Sequence, residues 1–123
     1  MLKPSALLKT VAFAICIGIF APGVSTAEET PDIGFARLEE AGAQALHLDV
    51  MDGIFVPNIT YGMPIVAAVR SCTKLPIDVH LMIADPAKYI DQFRDAGADS
   101  MTIHLEAVPE PRPVLDRIRK LGA

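Results

Sequence analysis

Leu46-His47-Leu48-Asp49-Val50-Met51-Asp52-Gly53 decides how this chain of 123 residues is read. With strand alternation, His47, Asp49 and Met51 share one face, Leu46, Leu48 and Val50 share the other, and Asp52-Gly53 ends the run as a turn. Pro76-Ile77-Asp78-Val79-His80-Leu81-Met82 repeats the arrangement, with Asp78, His80 and Met82 on one face and a turn at Ala84-Asp85-Pro86. Side by side in a parallel sheet, the two strands bring His47, Asp49 and His80 together towards the C-terminal edge, where parallel α/β folds keep their chemistry.

Outward from these strands the pattern is regular. Phe35 to Ala41 has helical spacing and stops at Gly42. Gly53 to Gly62 is a long apolar loop with Pro57 inside it, a candidate cover for a site at the strand end. Pro64 opens a helix that runs to about Cys72. Asp85 as N-cap and Pro86 at the first position open another, which passes through Tyr89, Ile90 and Phe93 to Gly97. A third strand, Ser100 to Glu106, precedes a helix from Val114 to Leu121. Alternating helices and strands predict an α/β fold with a parallel sheet. The order also repeats internally: Ala41-Gly42-Ala43 precedes the His47 strand and Ala96-Gly97-Ala98 precedes the His104 strand. Leu121-Gly122-Ala123 repeats the cap with no strand after it, which has the appearance of a truncation.

The first 27 residues read differently. Lys3 and Lys9 flank an uncharged apolar run, Val11 to Phe20, and small residues end at Ala27 before Glu28-Glu29, the layout of a secretory signal peptide. The run is shorter than the roughly 20 residues of a spanning helix, so a retained anchor is the lesser reading. The expected organisation is a signal-like segment at 1–27, a linker at 28–34 and one α/β unit at 35–123. Without the two leader lysines, nine basic side chains face fifteen acidic ones, a net charge of −6. That balance argues against nucleic acid as a partner. Cys72 alone would remain of the two cysteines, which excludes an internal disulfide. Export to a periplasm or medium is expected from this segment, and membrane contact only through it. The oligomeric state is left open, a homo-oligomer included.

Taken together, His47-Leu-Asp-Val-Met-Asp-Gly53, Phe55-Val-Pro-Asn-Ile-Thr60, Asp78-Val-His-Leu-Met82, Asp85-Pro86 with Tyr89-Ile90, and Ala96-Gly-Ala98 with His104-Leu-Glu-Ala107 closely resemble the ribulose-phosphate 3-epimerase family. The resemblance implies a partial TIM (β/α)8 barrel of about three βα units, covering its second to fourth strands. It implies one divalent cation, with His47, Asp49 and His80 among its ligands, and the donor set suits Zn, Fe(II), Mn or Co alike. It makes Asp49 the base that removes a proton next to a ketone, with the metal stabilising the enediolate. Met51 and Met82 correspond to methionines that lie against the reacting carbons, and the implied partner is a small sugar phosphate.

Departures from the family pattern stand beside this. The second catalytic aspartate, the phosphate-binding glycine loops and the serine-bearing first strand have no counterpart, and Ile54 stands where the family commonly has His. Pro4-Ser5-Ala6-Leu7-Leu8 resembles that first strand only superficially. The resemblance implies interconversion of D-ribulose 5-phosphate and D-xylulose 5-phosphate at C3, in the cytoplasm if the leader is an artefact. A six-carbon ketose phosphate is an alternative substrate. A non-catalytic remnant that binds metal weakly is the alternative of another class, because three parallel strands leave open edges.

A lone strand histidine is usually a satisfied core residue, but Asp49 two residues on and the echo at His80 favour ligation. Asp78 and the His104-Glu106 pair read as structural, and Met51 and Met82 are equally explicable as core filler.

Overall fold

In the computed structural model the described residues are 12–13 and 31–123. Their elements are β1 (Ala12–Phe13), α1 (Pro31–Glu40), β2 (Leu46–Met51), α2 (Met63–Cys72), β3 (Ile77–Met82), α3 (Ile90–Asp95), β4 (Ser100–Ile103) and α4 (Pro111–Lys120). Short 3-10 turns at Pro86–Lys88 and Leu105–Ala107 precede α3 and α4. The four strands form one parallel sheet in the order β1-β2-β3-β4.

The two central strands alternate as their sequences dictate. Leu46, Leu48 and Val50 of β2 and Ile77, Val79 and Leu81 of β3 are buried, while the residues between them are half-buried. Helices cover the apolar face through Phe35, Val66, Val69, Ile90, Phe93, Val114 and Ile118. The opposite face carries His47, Asp49, Met51, Asp78, His80 and Met82.

Three helices close alike, and here the repeated Gly-Ala caps have a physical meaning. The N–H groups of Gly42, Gly97 and Gly122 reach back to the carbonyls of Glu39, Arg94 and Arg119. Those of Ala43, Ala98 and Ala123 reach Leu38, Phe93 and Ile118. This is the Schellman closure, and each glycine has a positive φ, +109° at Gly97. A Cβ at Gly97 would also lie 2.5 Å from Cγ of Arg70, whose guanidinium donates to Asp99 and to the Thr73 carbonyl. Gly97→Ala is therefore expected to cost about 1–3 kcal/mol through the backbone conformation alone, read as a lowered urea midpoint with an unchanged slope.

Several boundaries differ from expectation. The segment expected as a linker at 28–34 is helical from Pro31: proline suits a helix's first position, and Gly34 is tolerated within it. Asp85 makes no side-chain cap bond, and Pro86 opens a 3-10 turn closed by the Tyr89 N–H instead. The third expected strand ends at Ile103, because Ala107 and Val108 turn back to bond the carbonyls of His104 and Leu105. Pro111 and Pro113 fall in the first turn of α4, which starts three residues earlier than Val114. Ala12–Phe13, inside the expected leader, pairs with Leu46–His47 at the otherwise free edge of β2. The rest of that leader, with its cleavage site, lies outside the described residues. Among the described residues no helix is long and apolar enough to cross a membrane.

Candidate metal centre

Parallel register sets Asp49 opposite His80, His47 opposite Asp78 and Met51 opposite Met82. Alternation then turns all six towards the face that the helices leave open. Oδ1 of Asp49 lies 3.2 Å from Nε2 of His47 and 2.9 Å from Nδ1 of His80. One donor atom from each of the three residues lies within 4.8 Å of the others. Their side chains are 24, 18 and 22% exposed, so solvent and ions reach them from the open face.

The donor chemistry fits a divalent cation of the borderline class: two imidazoles and a carboxylate converge on one point. The flanking contacts strengthen the fit. Nδ1 of His47 sits 2.7 Å from Oδ2 of Asp78, leaving Nε2 to face Asp49. Asp78 is itself held by the Ser100 hydroxyl, which donates to Oδ1 at 2.7 Å. A carboxylate behind an imidazole in this way fixes the ring's orientation and raises its basicity as a ligand. On the other flank, Nε2 of His80 lies 2.8 Å from Nε2 of His104, and the two rings stack with centroids 4.9 Å apart.

The structure thus brings together His47, Asp49 and His80, the three residues singled out in the sequence, and places Met51 and Met82 side by side towards the strand ends. Asp78 and His104, read from sequence as structural, both touch the cluster. The signal that links them to it is register. Asp78 precedes His80 by the two-residue step that also separates His47 from Asp49, so a parallel partner strand sets Asp78 directly beside His47.

The loop after β2 is folded back and tied rather than loose. Thr60 donates its hydroxyl to the Asp49 carbonyl at 2.8 Å and accepts from the Met51 N–H. Asp52 accepts the N–H groups of Ile54 and Phe55 on one oxygen, each at 2.9 Å, and that of Ala84 on the other at 2.8 Å. Ile54 and Ile59 stay exposed at the loop's surface, while the Phe55 ring packs 4.9 Å from His104. An apolar cavity of about 270 Å³ lies among Val50, Tyr61, Met63, Ile83 and Phe93 and includes none of the three clustered groups.

The N–H donors, that of Ala84 foremost, hold the Asp52 carboxyl below its ordinary pKa. A depressed carboxyl stabilises the fold fully above its unfolded value, and that contribution is lost as pH falls through the folded value. The tie between the two strand ends is therefore expected to hold down to about pH 4 and to loosen below it. Amide exchange at Ala84, Ile54 and Phe55 reads this. Asp52→Ala should remove their protection at neutral pH, whereas unchanged protection would show that the carboxylate does not hold the loop.

Comparison with known proteins gives the cluster its context. The model of the ribulose-phosphate 3-epimerase family matches residues 24–123. Ribulose-phosphate 3-epimerase of Bacillus subtilis is 52% identical over 85 residues, 69% of this chain and 39% of the relative. That of Treponema pallidum is 47% identical over 103 residues, 83% of this chain and 47% of the relative. That of Synechocystis is 46% identical over 113 residues, 85% of this chain and 46% of the relative. The chain therefore spans somewhat under half the length of these curated relatives. With the family model matched from residue 24 to the last residue, the chain belongs to the ribulose-phosphate 3-epimerase family.

Proposed function

We propose that this chain carries the divalent-metal part of a sugar-phosphate epimerase site and takes part in interconverting D-ribulose 5-phosphate and D-xylulose 5-phosphate by proton transfer at C3. The observation that carries the proposal is the convergence of one donor atom each from His47, Asp49 and His80 within 4.8 Å on the open face of the sheet.

In this reading His47 Nε2, Asp49 Oδ1 and His80 Nδ1 would hold one divalent ion, and Zn, Fe(II), Mn and Co all suit the donors. When bound, such an ion supplies positive charge beside the substrate's oxygens, where negative charge develops as the C3 proton leaves. Asp49 is the base. Its Oδ1, which lies 3.2 and 2.9 Å from the two imidazoles, would be turned to the ion, and its other oxygen takes the proton while the C–H electron pair moves into the adjoining carbonyl to give an enediolate. Return of a proton to the opposite face of C3 requires a second acid, which family members draw from a later strand. Met51 and Met82, paired in register at the strand ends, would offer polarisable, apolar side chains to the reacting carbons.

Solvent exchange tests this. The purified full chain, loaded with Zn(II) in D2O and given D-ribulose 5-phosphate, is expected to place deuterium at C3, read by NMR, and Asp49→Asn should place none. No exchange by a chain that holds its metal would overturn the assignment of Asp49 as base. A second reading, metal binding without turnover, is favoured by the openness of the site, where side chains of the cluster remain 18 to 24% exposed on a sheet face that no helix covers among the described residues. Formation of D-xylulose 5-phosphate by the chain on its own would exclude that second reading.

A further inference from the structure

The two histidines of the cluster face it with different nitrogens, and the sequence does not say why. His47 turns Nε2 inward because its Nδ1 is occupied by Asp78. His80 turns Nδ1 inward, and its outward Nε2 meets no carboxylate but a third imidazole, that of His104, at 2.8 Å.

Two ring nitrogens at that distance share one proton: one must donate and the other accept. His80 needs its Nδ1 lone pair for an ion, so in the loaded protein its own proton sits on Nε2 and points at His104. His104 must then accept on Nε2 and carry its proton on Nδ1, the nitrogen that faces Oε2 of Glu106 at 3.8 Å. Packing favours the same arrangement. The His104 ring lies between the His80 ring and Phe55, with both centroids 4.9 Å away, which limits its rotation. The end of β4 at Ile103 leaves His104 at the head of the next turn, with its ring beside that of His80.

We infer that His104 is a positioning residue for the metal centre: by accepting the Nε2 proton of His80 it fixes the tautomer and ring orientation that aim Nδ1 of His80 at the ion. This rests on the metal-binding reading above. Its role parallels that of Asp78 behind His47, with a neutral acceptor in place of a carboxylate. Outer-shell partners of ligating histidines carry roughly 10–100-fold in metal affinity.

The test is a titration of the full chain and two variants with Co(II), followed by visible absorption, with amide NMR as a check on folding. His104→Leu, which fills similar space and accepts nothing, is expected to weaken Co(II) binding roughly 10–100-fold. His104→Gln, whose amide oxygen can reach the place of Nε2, should restore most of that affinity. In the Zn(II)-loaded parent, nitrogen-15 shifts should show a proton on Nε2 of His80 and a lone pair on Nε2 of His104. Equal affinity for the parent and His104→Leu, or a proton on Nε2 of His104 in the loaded parent, would overturn the positioning role alone. A parent chain that binds no Co(II) would overturn the metal-binding reading, and this inference with it.

Discussion

Asp49→Ala is expected to abolish stoichiometric divalent-metal binding while leaving the fold intact. Its carboxylate is the one anionic donor in the cluster and the atom both imidazoles face, at 3.2 and 2.9 Å. Without it, two imidazoles remain that no shared group holds in a common orientation. The loss should exceed the roughly 10–100-fold carried by an outer-shell partner, so the affinity for Co(II) or Zn(II) should fall by more than about a hundredfold. The fold should survive because Asp49 lies on the half-buried face and its neighbours Leu48 and Val50 carry the packing. Calorimetric titration with Zn(II) and far-UV circular dichroism read the two halves of this expectation. Retained affinity in a folded variant would place the ion elsewhere.

The largest stability effect is expected from Phe93→Ala. Phe93 is 2% exposed, and its carbonyl closes the α3 cap by accepting the Ala98 N–H at 3.1 Å. Its ring packs in the layer between the helices and the sheet. Truncation there removes transfer free energy and leaves a cavity, about 3–5 kcal/mol together, a large part of the 5–15 kcal/mol typical of a whole domain. Urea unfolding should show a much lower midpoint, and a change below about 1 kcal/mol would mean that the helix layer is not packed as described. Charge makes a poor rival to this. Arg117 and Asp91 pair across α4 and α3, but with both side chains 46% exposed, solvent screens the pair and it adds little to stability.

Much of this architecture is written in alternation. Leu46, Leu48 and Val50 against His47, Asp49 and Met51 specify a strand with one buried and one functional face, and Ile77 to Met82 repeats it. The shared face of His47, Asp49 and His80 follows from that periodicity alone. What it cannot supply is register. Only the alignment of Asp49 with His80 and of His47 with Asp78 shows that Asp78 backs a ligand, and a one-residue slip would have turned every group to the other face. Element ends are less legible because proline has two meanings: Pro31 begins a helix inside the stretch expected as a linker, and Pro111 begins one three residues before the expected start at Val114. His104 was masked by a run of residues that resembles strand through Glu106, whereas the chain leaves the sheet after Ile103. Asp52 read simply as a turn residue, yet it joins the ends of two strands through three backbone N–H groups.

Family membership and the geometry bear on the same few residues. The family fold is a TIM barrel, and β2, β3 and β4 with their helices supply consecutive parallel strands of such a barrel. The direct examination of the metal claim is an anomalous-scattering map from crystals of the full chain grown with Mn(II) or Zn(II). One strong peak is expected at bonding distance from Nε2 of His47, a carboxylate oxygen of Asp49 and Nδ1 of His80. A map with no peak among those three atoms, at a concentration where the ion is bound elsewhere on the chain or not at all, would contradict it.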